Sequence, residues 1–396
     1  MSSPLDQYIP ILEYLAIWVG IFVVGLLLKA DKHGIIVKPY YLMLKTVVFN
    51  SWMEKLGSRF RRAWLTYFDI GAVMGLGLLI FVIYSLIRNA FNLFYHTSAA
   101  GPTLLIIPLP GVTIGWDIFP YILISIAVLL IPHEVAHGIA SVLDHVPIKS
   151  SGVFLAIFLP GGFVEIDEEE LSKRKARTKL RVFAAGSSTN VVSWFIVFLL
   201  LSNFALVISP LYQSNSSGVL ITSLVNGGAA QSATPAAIQP WSVLININST
   251  HPIQSVDGLR SFLSPLRPGH HLVLTMSNGQ NYTIVTQPAP DNNTRATIGI
   301  FTFPYFKPYS SFLPVSLPFH FANTLQWMSL ILLGVALVNM LPMVPFDGDR
   351  YFDTLLGLLG MKNTRRTRTV VSAASLSLLA LNLILSYALF GTVFPK

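Results

Sequence analysis

Hydrophobic positions in this 396-residue chain gather into long unbroken runs, at roughly 8–28, 68–94, 118–141, 182–208, 322–345 and 369–390. A helix needs about 20 mostly apolar residues to cross a bilayer, so the pattern predicts about six spanning helices. Between the fourth and fifth runs the pattern changes. Residues 210–310 are polar and rich in Ser, Asn, Thr, Gly and Pro, with short alternating stretches such as Gly218-Val219-Leu220-Ile221-Thr222 and His271-Leu272-Val273-Leu274-Thr275. That alternation predicts a small β-rich soluble domain inserted between two spans. Residues 148–168 follow a third pattern, in which Val153, Phe154, Leu155, Ile157, Phe158 and Leu159 lead into Pro160-Gly161-Gly162. The stretch is too short and too glycine-broken for a span. It reads as a re-entrant or interfacial β-hairpin or as a partly buried loop, and irregular backbone at membrane depth needs protein or a water cavity to cover it.

Composition agrees with this reading and adds a direction. Hydrophobic residues make up 53% of the chain and charged ones 11%, against about a quarter charged in soluble domains. The net charge of +8 does not point to nucleic acid. Of the 26 Lys and Arg, 18 fall in three patches, 29–62, 173–181 and 362–368, that flank apolar runs, and no basic stripe interleaved with stacking aromatics is present. Placing all three patches on the cytoplasmic side fixes one topology. The third run then ends towards the cytoplasm, 210–310 lies outside and the fifth run returns; the expected location is the cell membrane. The first run, beginning near Tyr8 without a basic leader, reads as a retained span and not a signal peptide. Four Asn-x-Ser/Thr sequons, at Asn215, Asn248, Asn281 and Asn292, all fall in the inserted segment, where glycosylation would require the same outside placement. The expected divisions are 1–117, an amino-terminal pair of spans with an outer loop; 118–209, the first half of a membrane core; 210–310, the β-rich domain; and 311–396, the second half of the core with the last span.

Two imidazoles in the third run supply candidate chemistry. His133 and His137 stand four apart in His133-Glu134-Val135-Ala136-His137. On a helix they share a face and can hold one cation, with Glu134 beside them as a base for a metal-activated water. Polar groups of this kind within a span are costly and usually functional. The chain has no cysteine, so a further metal ligand must be His, Asp or Glu, and catalytic zinc usually takes three protein ligands. The candidates are Asp117, Asp144, Glu165, Asp167, Asp347, Asp349 and Asp353. Asp117 lies about four helical turns from the histidines, Asp144 reads as a solvated or capping carboxylate at the helix end, and Glu165 to Glu170 read as a solvated charge run. Asp347 stands apart. It follows Asn339-Met340-Leu341-Pro342-Met343-Val344-Pro345-Phe346 at the cytoplasmic end of the fifth run, the same depth as the histidines, where two prolines and a glycine break the helix. A simple helix-terminating turn is the alternative.

The His-Glu-x-x-His run in one span and Asn-x-x-Pro-x-x-x-x-Asp-Gly in another, some 200 residues later, resemble the site-2 protease family of intramembrane metalloproteases. Ala185-Gly186-Ser187-Ser188-Thr189-Asn190 resembles that family's Ala-Gly-x-x-x-Asn signature, and Gly162-Phe163-Val164-Glu165 its segment between the first two core helices. Residues 211–305 resemble a PDZ domain through Asn226-Gly227-Gly228-Ala229-Ala230 and Leu244-Ile245-Asn246-Ile247-Asn248. Phe346 departs from the leucine common before Asp-Gly. The resemblance implies a polytopic α-helical membrane protein with an inserted β-rich PDZ-like extracytoplasmic domain. It also implies one zinc held by His133, His137 and Asp347, Glu134 activating the water, and Asn339, Asn190, Pro342 and Gly162 near the substrate or supporting the site; for Asn190, interhelical hydrogen bonding is the other reading. Implied partners are transmembrane protein substrates, the lipid bilayer, and a peptide or carboxyl terminus on the PDZ-like domain. The rival classes are a non-enzymatic membrane scaffold that binds partners through that domain and a zinc transporter, for which the chain lacks the expected paired carboxylates along a continuous path.

Overall fold

The computed structural model describes residues 9–30, 34–156, 159–290 and 292–395. The expected start of the first span near Tyr8, and Ile157 and Phe158 of the expected hairpin, lie outside them. From the amino terminus, α1 (Ile9–Leu27) is followed by β1 (Ile35–Lys38), β2 (Tyr41–Thr46), α2 (Val48–Arg59), α3 (Arg61–Phe94) and α4 (Phe119–Leu143). The chain then forms β3 (Ile148–Ala156), β4 (Leu159–Ile166), the short α5 (Glu168–Ser172) and α6 (Ala176–Ser202). A short α7 (Phe204–Ile208) leads into β5 (Tyr212–Leu224), β6 (Val243–Ile247), β7 (His251–Pro252), α8 (Val256–Leu263), β8 (His271–Met276), β9 (Asn281–Val285), β10 (Gln287–Ala289), β11 (Asn292–Thr297) and β12 (Ile300–Pro308). The chain closes with α9 (Leu317–Asn339), α10 (Asp347–Leu358) and α11 (Arg365–Phe390). Two compact units result, one formed by residues up to Phe198 with those from Gln326 onward, the other by Leu199–Leu325.

Five of the described helices, α3, α4, α6, α9 and α11, are long and apolar enough to cross a membrane, and the apolar stretch of α1, Ile11–Leu27, is shorter. The chain is therefore a multi-pass membrane protein with a β-rich region. Helix α6 starts six residues before the apolar run does, because the charges at its beginning have partners. Arg181 donates to both oxygens of Asp69 on α3 at 2.7 and 2.9 Å and to Asp144 at the end of α4 at 3.1 Å; Arg177 reaches the same Asp69 at 2.6 Å. Asp144 thus serves as an ion-pair partner. This cluster of four charges joins α3, α4 and α6 at one end. Arg61 adds a donor to the Leu143 carbonyl at 2.9 Å, where the end of α4 leaves acceptors without intrahelical partners. Around this corner Phe68, Ala136, Ile139, Ala140, Leu143, Val182 and Ala185 form a buried cluster. Farther along, Asn89 of α3 donates to Asn382 of α11 at 3.1 Å, and Asn382 donates to the Leu86 carbonyl at 3.0 Å, so these two amides join the spans.

Strands β3 and β4 form the expected hairpin, and the sheet continues beyond it. Its order is β1-β2-β3-β4, all antiparallel, with Leu44 opposite Val153 and Lys45 opposite Gly152. The basic segment after α1 therefore supplies half of the sheet, and β4 is left as its edge. In the other unit, a six-stranded antiparallel sheet runs β12-β5-β6-β8-β9 with β7 on β6. Alternation along β8 and β9 puts Leu272, Leu274, Tyr282 and Ile284 into one core with Val219, Ile221, Leu244 and Ile247. Helix α8 covers that core with Leu259 and begins where Ser255 accepts from Gly258 N at 3.0 Å, an N-cap.

Candidate active site

The fifth run does not remain helical to 345. Helix α9 ends at Asn339, and a turn through Leu341 and Pro342 leads to α10, which opens on Asp347. Asp347 therefore sits on a separate short helix with its own supports. Tyr351 of α10 is buried and its hydroxyl donates to the Ala72 carbonyl of α3 at 2.6 Å. Buried Asp349 pairs with Arg368 of α11, which also reaches Asp353 at 3.2 Å. The helix carrying the carboxylate is thus braced against two spans.

On α4, His133 and His137 are buried, with their Nε2 atoms 3.3 Å apart. Asp347 Oδ2 lies 3.2 Å from His137 Nε2 and 3.8 Å from His133 Nε2. Metal bonds of about 2.0–2.2 Å in a tetrahedral arrangement place neighbouring ligand atoms roughly 3.3–3.5 Å apart. The two short edges of this triangle match that spacing, the third is slightly longer, and the donor set of two imidazoles and a carboxylate suits zinc. Among the described residues this is the group of His, Cys, Asp or Glu side chains that could hold a metal ion.

Helix α6 supplies the wall behind the imidazoles through residues at i, i+4 and i+8, which share one face. The Val182 carbonyl accepts from His137 Nδ1 at 2.8 Å, which keeps the proton on Nδ1 and the lone pair on Nε2. Asn190, fully buried, meets His133 Nδ1 at 2.9 Å, and the amide atom not used in that contact has no partner. Turned so that its oxygen accepts from Nδ1–H, the amide gives His133 the same tautomer as His137. Between them, Gly186 lies so close that an added Cβ would collide with both rings. Gly186→Ala is expected to drive the imidazoles apart while leaving α6 helical, so bound metal per chain should fall well below that of the wild type. Elemental analysis after gel filtration reads this, with circular dichroism as the fold control.

Opposite α6, Glu134 projects from α4 beneath β4. A Cβ on Gly162 would come within 2.6 Å of Glu134 Cγ, so glycine lets the strand pass over the side chain. A cavity of about 600 Å³ lies in front, lined by Glu134, Gly162, Asn339, Phe346, Asp347 and Arg350 among others. Asn339, which lines the cavity, has its amide nitrogen 3.3 Å from His133 Nε2. Pro342 is buried in the turn, and Pro345 and Phe346 face the cavity in its place. The other candidate carboxylates are engaged elsewhere. Glu165 pairs with Lys45 and accepts from Ser150, both at 2.6 Å, and Lys45 first, then Ser150, holds its carboxyl below the usual range. Asp167 caps α5 and pairs with Lys149 at 3.3 Å. Asp117 precedes α4 at the end away from the histidines.

Sequence reasoning missed Arg350, which lines the cavity and pairs with Glu168 at 2.6 Å. Its position three residues after Asp347 on a helix was the available signal. It also missed Lys45, whose pairing across 120 residues leaves no local trace.

With this geometry in hand, comparison with known proteins gives a consistent result. A family model described as peptidase family M50 matches residues 121–382. A membrane-bound transcription factor site-2 protease homolog of Arabidopsis thaliana is 26% identical over 178 residues, 45% of this chain and 34% of that protein. An uncharacterized protein of Methanocaldococcus jannaschii, MJ0971, is 24% identical over 352 residues, 87% of this chain and 86% of that one. The chain thus spans about a third of the plant relative and most of the archaeal one.

Proposed function

We propose, on the premise that the chain belongs to peptidase family M50 and is a membrane metallopeptidase of the site-2 protease family, that it hydrolyses peptide bonds in transmembrane segments of membrane-protein substrates. The single observation that carries this reading is the convergence of His133 Nε2, His137 Nε2 and an Asp347 oxygen within 4.8 Å of one another. In this reading the three hold one zinc. Bound there, zinc supplies Lewis acidity that polarises the scissile carbonyl and makes a water a nucleophile near neutral pH. Glu134 takes the proton from the attacking water and returns it to the departing amine. The Val182 carbonyl and Asn190 fix the two rings, and in this reading the Asn339 amide, at the cavity, donates to the substrate oxygen. A substrate helix has to unwind before its backbone can enter. The outer edge of β4, which runs past Glu134 at Gly162 and pairs with no further strand among the described residues, offers an unwound segment main-chain partners by strand addition, which replaces hydrogen bonds that lipid cannot provide.

The positive-inside placement of the three basic patches puts this site towards the cytoplasmic side and the β-rich domain outside. The exposure of all four sequon asparagines on that domain supports the outside placement. Its likeness to a PDZ fold rests on α8 lying beside β12, which among the described residues pairs only with β5, with a cavity of about 360 Å³ lined by Val256, Leu259, Leu263 and Ile300 between them. In this reading the domain screens substrates by the size of their outer portions or receives an exposed carboxyl terminus. The test is cleavage of a membrane-embedded substrate by the purified protein in lipid. Chelation is expected to stop cleavage, and zinc at about one equivalent per chain to restore it. Cleavage unaffected by chelation would remove the metal from the mechanism, and no cleavage by the zinc-loaded protein would leave the scaffold reading.

A further inference from the structure

Helix α2 is too short to span a bilayer. Its 12 residues rise about 18 Å against a hydrocarbon core of about 30 Å, yet it carries an apolar surface that the protein leaves uncovered. Going round it at about 100° per residue, the packed side comes first. Met53 is 1% exposed and lies in the cluster with Ala136 and Ile139 of α4, and its side chain fills the space over Gly138, next to His137. Next come Phe49, Leu56 and Trp52, then Arg59, Val48 and Lys55, and finally Ser51, Ser58 and Glu54. Phe49, Trp52 and Val48 are 58%, 49% and 71% exposed. Lys55 and Arg59 are exposed and make no ion pair among the described residues.

This order is that of a helix lying in a membrane surface: an apolar arc, a margin of long cations at headgroup level, and a polar side facing water. Its place in the chain agrees. Helix α3 starts two residues after α2 ends and runs into the membrane, so the end of α2 is held at the bilayer surface. The orientation is fixed by Asn50 donating to the Ile148 carbonyl at 3.0 Å, Trp64 to the Leu56 carbonyl at 3.1 Å and Arg61 to the end of α4. Exposed cations with no acidic partner among the described residues, beside an apolar arc, suit one occupant best, a lipid surface bearing anionic phosphate headgroups.

We infer that α2 is an in-plane lipid-binding helix, with Val48, Phe49 and Trp52 in the bilayer interface and Lys55 and Arg59 on anionic headgroups. Through Met53 it fastens the helix that carries His133 and His137 to the membrane surface.

The absence of cysteine makes the test clean, since a single introduced thiol labels at one place. Phe49→Cys, Trp52→Cys and Glu54→Cys in the full chain, each carrying a nitroxide, are reconstituted into vesicles of phosphatidylcholine alone or mixed with phosphatidylglycerol. Labels at 49 and 52 are expected to meet dissolved oxygen several-fold more than a water-soluble nickel chelate, and the label at 54 the reverse. The label at 52 should lie deeper in the anionic vesicles, and adding Lys55→Gln with Arg59→Gln should abolish that shift. Labels at 49 and 52 as open to nickel as 54, or shielded from both probes by a second protein surface, overturn the interfacial placement. Equal depth of the wild-type label in both vesicle types overturns the headgroup assignment. These positions are surface sites where single changes rarely unfold a chain, and circular dichroism confirms that each variant is folded. The readout uses neither zinc nor cleavage, so it stands or falls separately from the proteolytic reading.

Discussion

Glu134→Gln is expected to keep its metal and lose about 10²–10⁴-fold in cleavage rate, the range a positioned general acid–base supplies. Glutamine matches glutamate in size, so the close passage of β4 at Gly162 is preserved and the cavity keeps its shape. What changes is that an amide accepts no proton from water near neutral pH. Glu134 does not belong to the triangle of donor atoms formed by His133, His137 and Asp347, so bound metal should stay at the wild-type level. Measuring metal content and the cleavage of a membrane-embedded substrate on the same preparations separates the two effects. A wild-type rate would remove Glu134 from the chemistry, whereas a lower rate with parallel metal loss would make it a ligand or a structural support.

The parts of this site that were readable from the sequence are those set by short-range geometry. The spacing of His133 and His137 is a helical repeat, whereas Asn190 entered only through its likeness to a family signature and the roles of Val182 and Gly186, at the same interval on α6, were not read. The nearness of Asp347, 210 residues beyond His137, followed from charge topology, because basic patches place helix ends on one side of a membrane. Side-chain direction inside an irregular turn was not readable. Pro342 was the proline expected near the substrate and Pro345 only a helix breaker, and packing of the turn buries the first and exposes the second. Nor was the start of α6, since hydropathy counts Arg177 and Arg181 as costs and has no knowledge of Asp69, more than 100 residues away. The same limit hid β1 and β2. Their register with β3 depends on cross-strand neighbours such as Leu44 and Val153, and the segment on its own reads as a basic loop. Long-range ion pairs and strand pairing therefore account for most of the difference between the expected and observed membrane unit.

Asp347→Ala carries the second large expected effect, and it bears on the metal itself. The carboxylate oxygen is 3.2 Å from His137 Nε2 and its side chain is 26% exposed, so removing it opens the third corner of the site to water without collapsing a packed core. Two neutral imidazoles remain, one ligand short of a usual catalytic zinc site. Changing an outer partner of a metal ligand typically costs 10–100-fold in affinity, so loss of a direct ligand is expected to exceed about 100-fold and to strip the metal during gel filtration. The protein should otherwise stay folded, because α10 is held by the Tyr351 bond to α3 and by Asp349 and Asp353 on Arg368, none of which involves Asp347. Unchanged circular dichroism with metal reduced to a trace would therefore assign the loss to ligation and not to unfolding. Asp347→Asn sharpens the comparison, since it keeps an oxygen at the same reach and removes the charge, and should retain more metal than alanine and less than aspartate. Full metal retention in the alanine variant would mean that the histidines bind their ion with a different partner, and the fit of this carboxylate to the site would have to be explained as an ordinary buried hydrogen bond.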